Sequence, residues 1–224
     1  MARILFVTGT DTGVGKTVLT ALLARELVAR GVSVAALKPI CSGTREDARA
    51  LRDALGDALT LDEINPWHFR APLAPLLAAR REGRRVTQAQ VVAHTRKFTS
   101  RFEVVLVEGA GGLLSPLGEG FDSLSLILAL RARPIVVVAN RLGAVSQVRL
   151  VLAALPATLA KSAPVVLMSP PRADAAIGSN ARLLMEFISA HRIHVVPRLS
   201  LKDLTGSEPP RAAIRAVLQK LVRR

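Results

Sequence analysis

"GTDTGVGKT", residues 9–17, is the stretch that decides the fold. It follows ILFVT at 4–8, an apolar run suited to a buried parallel strand. After it, Val18, Leu19, Leu22, Leu23 and Leu27 recur at helical spacing until Gly31 closes the segment. Gly15, Lys16 and Thr17 match the G-K-[ST] end of the pattern G-x-x-x-x-G-K-[ST], and Gly9 stands one residue further upstream than its first glycine. Such glycines let successive backbone N–H groups converge on phosphate oxygens, and the helix beginning at Lys16 adds its positive N-terminus. Lys16 then reaches the β- and γ-phosphates, and Thr17 is placed to ligate Mg2+. The strand before the loop and the helix after it separate this motif from an accidental turn.

Working outward, apolar runs at 32–37, 103–112, 134–140, 164–168 and 193–197 read as further strands. Helical patterns fill the intervals at 47–55, 75–81, 87–101, 122–132, 146–155 and 179–191, with Thr87 as an N-cap. The Pro-rich segment 65–75 reads as loop, and 210–224 as a basic amphipathic helix. Alternation of strand and helix predicts an α/β fold: a mostly parallel sheet with helices on both faces, joined by right-handed crossovers. Such a three-layer α/β/α arrangement, with this loop after its first strand, resembles that of P-loop nucleotide hydrolases. The 224 residues are expected to form a single domain, 1–224.

Charge narrows the function without choosing it. The 31 Lys and Arg against 17 Asp and Glu, net +14, suit either a nucleic-acid surface or a protein whose ligands are anions. With no Tyr and one Trp, little is available to stack on bases, which disfavours nucleic acid. The cluster of Arg80, Arg81, Arg84 and Arg85 reads first as a solvated surface. Cys41, the single cysteine, forms no internal disulfide, and the first residues lack a signal-peptide pattern, so a cytoplasmic protein is expected. Charges interrupt every apolar run before the roughly 18–20 residues of a membrane span.

Further residues of the carboxyl sheet edge carry candidate chemistry. Glu108 lies where the strand of the 103–112 run emerges, and there it can ligate Mg2+ or cap the backbone of Gly109, Ala110, Gly111 and Gly112. Asp47 alone is a common helix-start acid. In "KPICSG", 38–43, Lys38 emerges on the same edge as Lys16, and a second ammonium suits phosphoryl transfer to an anion. Spacing alone equally allows a solvated strand cap. Cys41 as a nucleophile is disfavoured, since no histidine is tied to it in sequence.

Together "VTGTDTGVGKT" (7–17), "KPICSG" (38–43), "VEGAGGLLSPL" (107–117) and "VVANRLGAVSQ" (137–147) resemble the dethiobiotin synthetases, ATP-dependent ligases of biotin synthesis. The likeness runs well over residues 3–155 and loosely beyond. It implies that 7,8-diaminononanoate, CO2 and ATP are converted, through a carbamate and a carbamic-phosphoric anhydride, into a ureido ring, ADP and phosphate. Lys38 and Lys16 match the catalytic lysines. Gly13, Val14, Gly15, Thr17, Val18, Gly109, Ala110 and Gly111 match nucleotide contacts. Thr17, Asp47 and Glu108 match Mg2+ ligands. Thr12, Ser42, Gly143, Ala144 and Val145 match substrate contacts, the last three across a homodimer interface.

The chain departs from that pattern in three places. An Asn-Asp pair that reads adenine in many members is replaced by Met168 and Ser169. Pro197 and Leu199 keep part of a later base-contacting stretch, but Arg198 stands where an aromatic is common. An "SPH" run is here Ala74-Pro75-Leu76. Two rivals share the fold. Partition and division-site ATPases, switches that bind DNA or membrane, resemble K-G-G-x-G-K-T in this loop, where the extra lysine aligns with Asp11. Cobyric-acid-type amide synthases usually carry a glutaminase domain, for which 224 residues leave no room.

Overall fold

The computed structural model describes residues 2–170, 175–200, 203 and 211–222. In chain order the elements are β1 (Arg3–Gly9), α1 (Lys16–Ala29), β2 (Val34–Leu37), β3 (Ile40–Ser42), α2 (Glu46–Ala54), α3 (Leu61–Ile64), β4 (Trp67–Phe69), α4 (Pro75–Arg81) and α5 (Gln88–Phe98). Then come β5 (Val104–Glu108), β6 (Pro116–Gly118), β7 (Phe121–Asp122), α6 (Ser123–Leu130), β8 (Arg133–Ala139), α7 (Ala144–Ala154), α8 (Ala157–Ser162), β9 (Val165–Met168), α9 (Ile177–Leu184), β10 (Ile193–Val196) and α10 (Ala212–Val222).

The six longer apolar runs form one sheet, in the order β10-β9-β8-β1-β5-β2, with every neighbouring pair parallel. Their side chains explain the arrangement. Val104–Val107 and Ile135–Val138 are buried throughout, as strands covered on both faces must be. Phe6, Leu19, Leu23 and Leu106 lie in the resulting core, each burying apolar area worth about 1.5–3 kcal/mol. Parallel register brings all carboxyl ends to one edge: Val7 stands opposite Glu108, and Gly9 opposite Val137. Beta1 lies inside the sheet between β5 and β8, so the loop after it opens where ligands of such sheets collect.

Local signals set several boundaries. Thr87 accepts the Gln90 N–H while the Gln90 side chain accepts the Thr87 N–H, closing a capping box before α5. Alpha10 packs on α1 through Glu26, a fully buried carboxylate that accepts from Arg215 at 3.4 Å and Gln219 at 3.1 Å.

Two expectations need correction. The segment 65–75 is not loop throughout: Trp67–Phe69 pairs parallel with Ile40–Ser42. Three residues are too few to show periodicity beside the prolines. The helix expected over 179–191 ends at Leu184, where bonds from Glu186 to Leu183 and Phe187 to Leu184 tighten the last turn. Of the expected helix 210–224, residues 210, 223 and 224 lie outside the described residues. Among the described residues no helix is long and apolar enough to cross a membrane.

Candidate active site

The loop from Gly9 to Lys16 owes its shape to glycine. Gly13 and Gly15 take φ of +72° and +97°, values that L side chains rarely adopt. A Cβ at residue 15 would also lie 3.1 Å from Met168 Cγ. Val14 is buried and Val18 packs on the core, anchoring the loop from below. Lys16 folds back over the loop and donates to the Asp11 carbonyl at 2.7 Å. Burial, then the charge of Lys38, lowers its pKa to about 8 against the pull of Glu108, Asp47 and Asp11. A phosphate oxygen would oppose both effects and keep the ammonium charged.

Beta5 delivers Glu108 beside that loop. Its Oε1 accepts from the Thr17 hydroxyl at 2.7 Å and from Lys38 Nζ at 2.6 Å. Lys38 also donates to the Gly109 carbonyl at 3.1 Å and lies 2.9 Å from Asp47 Oδ2. Burial alone would push the Lys38 ammonium down, but Glu108 and Asp47 outweigh it, so the pKa rises and the charge persists. The Asp47 carboxyl, raised by burial but pulled further by Lys38, ends below its ordinary value. Lys38, Asp47, Glu108, Thr17 and Lys16 thus form one charged cluster at the mouth of the loop.

Glu108 Oε2 is buried without a hydrogen-bond partner. An orphaned carboxylate oxygen beside a threonine hydroxyl and a half-exposed Asp47 suits Mg2+, which commonly keeps one or two carboxylates and completes its shell with phosphate and water. The donor set therefore fits the metal implied by the loop.

The other sequence candidates arrange themselves along the same edge. Thr12 is exposed on the loop, its N–H donating to Asp11 Oδ1 at 2.7 Å. Ser42 ends β3 and donates to the Leu73 carbonyl at 2.5 Å. Gly109 donates its N–H to Val7, Ala110 packs on the core, and Gly111 turns at φ +67°. Gly143 starts α7 at φ +90°; Ala144 is fully buried with its N–H bound to Arg141, and Val145 is partly buried. Met168 and Ser169 leave β9 beside Gly15, with the Ser169 N–H committed to Val196. Pro197, Arg198 and Leu199 follow β10; the Arg198 carbonyl accepts from Arg211 at 2.7 Å. Cys41 is buried, and burial pushes its thiol up to about 11, which removes it as a nucleophile.

Asn65 was missed in the sequence. Fully buried, it donates to the Lys38 carbonyl at 2.7 Å, while the Lys38 N–H donates to Ile64, so the backbone of the lysine is clamped from both sides. Arg45 holds Asn65 in turn, through its Oδ1 at 3.2 Å and its carbonyl at 2.8 Å. The Asn65-Pro66 step was the available signal, but it reads as a plain turn. Gln147 accepts from Thr10 at 3.3 Å, tying α7 to the phosphate loop.

A parallel sheet with this loop at its carboxyl edge defines a P-loop nucleotide-binding protein. A family model described as an AAA domain matches residues 3–205. The septum site-determining protein MinD of Pyrococcus horikoshii OT3, solved with Mg-ADP, superposes with a TM-score of 0.60 over 99% of this chain and 94% of that one; at 16% identity it shares the fold alone. The ATP-dependent dethiobiotin synthetase BioD of Anaeromyxobacter dehalogenans is 45% identical over 157 residues, 68% of this chain and 70% of that protein. That of Ralstonia nicotianae is 34% identical over 206 residues, 88% and 90%. The chain belongs to the dethiobiotin synthetase family.

Proposed function

We propose that this chain is an ATP-dependent ligase that closes the ureido ring of dethiobiotin from 7,8-diaminononanoate and CO2, working as one domain over residues 1–224 in the cytoplasm. The observation that carries the reading is Lys38, charged and clamped between Glu108 and Asp47 beside the phosphate loop. One substrate amine attacks CO2 and loses a proton, giving a carbamate. A carbamate oxygen attacks the γ-phosphorus and ADP leaves. The second amine then attacks the carbamoyl carbon and loses a proton, phosphate departs with the bonding pair, and the ring closes.

The residues divide this work by position. Gly13 to Val18, with Gly109 to Gly111, hold the triphosphate, and Lys16 offsets charge on its outer phosphates. Lys38 faces the carbamate and the transferring phosphoryl, where a preorganised ammonium stabilises developing charge without reorganising. Thr17, Asp47 and Glu108 would hold Mg2+, which supplies charge neutralisation on the phosphates when bound. Thr12 and Ser42 contact the diamine. Met168, Ser169, Pro197, Arg198 and Leu199 border the base.

We also propose a homodimer across α7, with Gly143, Ala144 and Val145 presented to the partner's substrate. Leu142 and Leu150, 81% and 69% exposed, leave apolar surface there for a second copy to cover.

The test is an ADP-release assay with and without diaminononanoate and bicarbonate. Release is expected only when both are present. Hydrolysis stimulated by DNA and indifferent to the diamine would overturn the reading in favour of a partition-type switch, the class that the +14 charge alone would also suit.

A further inference from the structure

The opposite edge of the sheet carries a second collection of charge. There β8, β9 and β10 begin side by side around a hollow of about 590 Å³. Arg133, Lys161, His191, Arg192, His194 and Lys220 line it, and among the described residues no Asp or Glu does. We propose that this hollow is an anion site, separate from the nucleotide site, that takes a small polyphosphate.

Three observations support the assignment. Arg192, almost fully buried, spends its donors on the carbonyls of Ala160 and Ala163, at 2.5 to 3.0 Å. It fixes the wall between α8 and β10 and itself lines the hollow. His194 is buried to 8% exposure beside other cations: burial first, then Lys220, Arg133 and His191, hold it below its ordinary value. Arg133 is likewise depressed by burial and by Arg3. Gathering like charges in a partly desolvated place costs free energy that a multivalent anion offsets.

Size and lining select the ligand class. Small-ligand pockets run to roughly 300–1,000 Å³, which includes this one. Among the described residues no Phe, Tyr or Trp lines it, so it offers cations for phosphate contacts and no large ring as a stacking platform for a base. A recess, rather than a tract along the surface, fits a short polyphosphate better than a nucleic-acid backbone. The sheet separates it from the phosphate loop, so the two sites fill independently.

The experiment uses the full chain saturated with Mg-ADP, so that the phosphate loop is already occupied. Tripolyphosphate is added while the His194 imidazole resonance, identified by its loss in His194→Asn, is followed by NMR. The expected result is a saturable shift, with His194 titrating at higher pH when the probe is bound. The double variant Lys161→Glu/Lys220→Glu should lose at least about tenfold in affinity while diamine-dependent ADP release stays unchanged. Absence of a saturable shift, or equal affinity in the double variant, overturns the proposal. A single-stranded oligonucleotide that binds here more tightly than tripolyphosphate also overturns it, assigning the surface to nucleic acid.

Discussion

Lys38 Nζ stands 2.6 Å from Glu108 Oε1, with both side chains withdrawn from water, and the same oxygen takes the Thr17 hydroxyl. One carboxylate therefore ties the lysine that follows β2 to the first turn of α1. Removing the lysine has two separable effects. Lys38→Ala leaves a buried carboxylate short of its partner, which costs about 3–5 kcal/mol of stability. In the proposed reaction it also removes the ammonium that would stabilise the transferring phosphoryl, so kcat is expected to fall by roughly 10²–10³ while ATP affinity falls less. Adding Glu108→Gln should recover much of the thermal stability and none of the turnover. Unchanged turnover in a folded Lys38→Ala protein rejects the catalytic role.

Gly15 and Gly31 provide a matched comparison of strain with and without function. Both have positive φ, +97° and +70°, but only residue 15 meets a neighbour, Met168, at 3.1 Å from an added Cβ. Each alanine substitution should cost about 1–2 kcal/mol in backbone strain. Gly15→Ala should in addition weaken ATP binding severely, because the loop amides can no longer converge, whereas Gly31→Ala should bind ATP normally. Calorimetric titration of both variants decides it, and normal ATP affinity in Gly15→Ala would remove the loop from the nucleotide site.

Acid sensitivity is expected from two histidines. His94 donates through Nε2 to the Glu63 carbonyl and packs edge-on against Trp67 and Phe98; burial, then the charge of Lys97, lowers its pKa below 6.5. His194 is lowered in the same direction. Each therefore binds its proton more readily in the unfolded chain than in the folded one. Since stability rises with pH wherever the unfolded state holds more protons, this contribution is complete above pH 6.5 and is lost as pH falls through the folded values. Denaturant midpoints should decline between about pH 7 and 5, and less steeply in His94→Gln. An equal slope in that variant would acquit His94.

How much of this was legible in the sequence depends on the range of the interaction. The phosphate loop, β5 and β8 were readable because each is a continuous local pattern: Ile135–Val138 cannot be anything but buried. The placement of Lys38 beside Glu108 was foreseeable only as far as both end strands on one sheet edge. The shared oxygen, the clamp of Asn65 and the support of Arg45 depend on contacts 20 to 70 residues apart in the chain, which no local pattern encodes. Beta4 was hidden for a different reason: a three-residue strand between prolines has no period to detect.

Nucleobase selectivity follows from what the β9 edge offers. In place of an amide and a carboxylate, Met168 leans its thioether on Gly15, and the Ser169 N–H is already bound to Val196. A site built on paired hydrogen bonds rejects a wrong partner by about 10⁴ or more, because its own polar groups are left unsatisfied, whereas an apolar contact discriminates by only about 10–200-fold. If Met168 borders the base as proposed, its thioether can pack on any base face and leaves no buried donor or acceptor unsatisfied when the base changes. GTP and CTP are therefore expected to support dethiobiotin formation with kcat/KM within about tenfold of ATP. Met168→Asn with Ser169→Asp, which restores an Asn-Asp pair, should widen the preference for ATP. Strict ATP dependence in the unaltered chain would place base recognition elsewhere, with the stretch from Pro197 to Leu199 as the next segment to substitute.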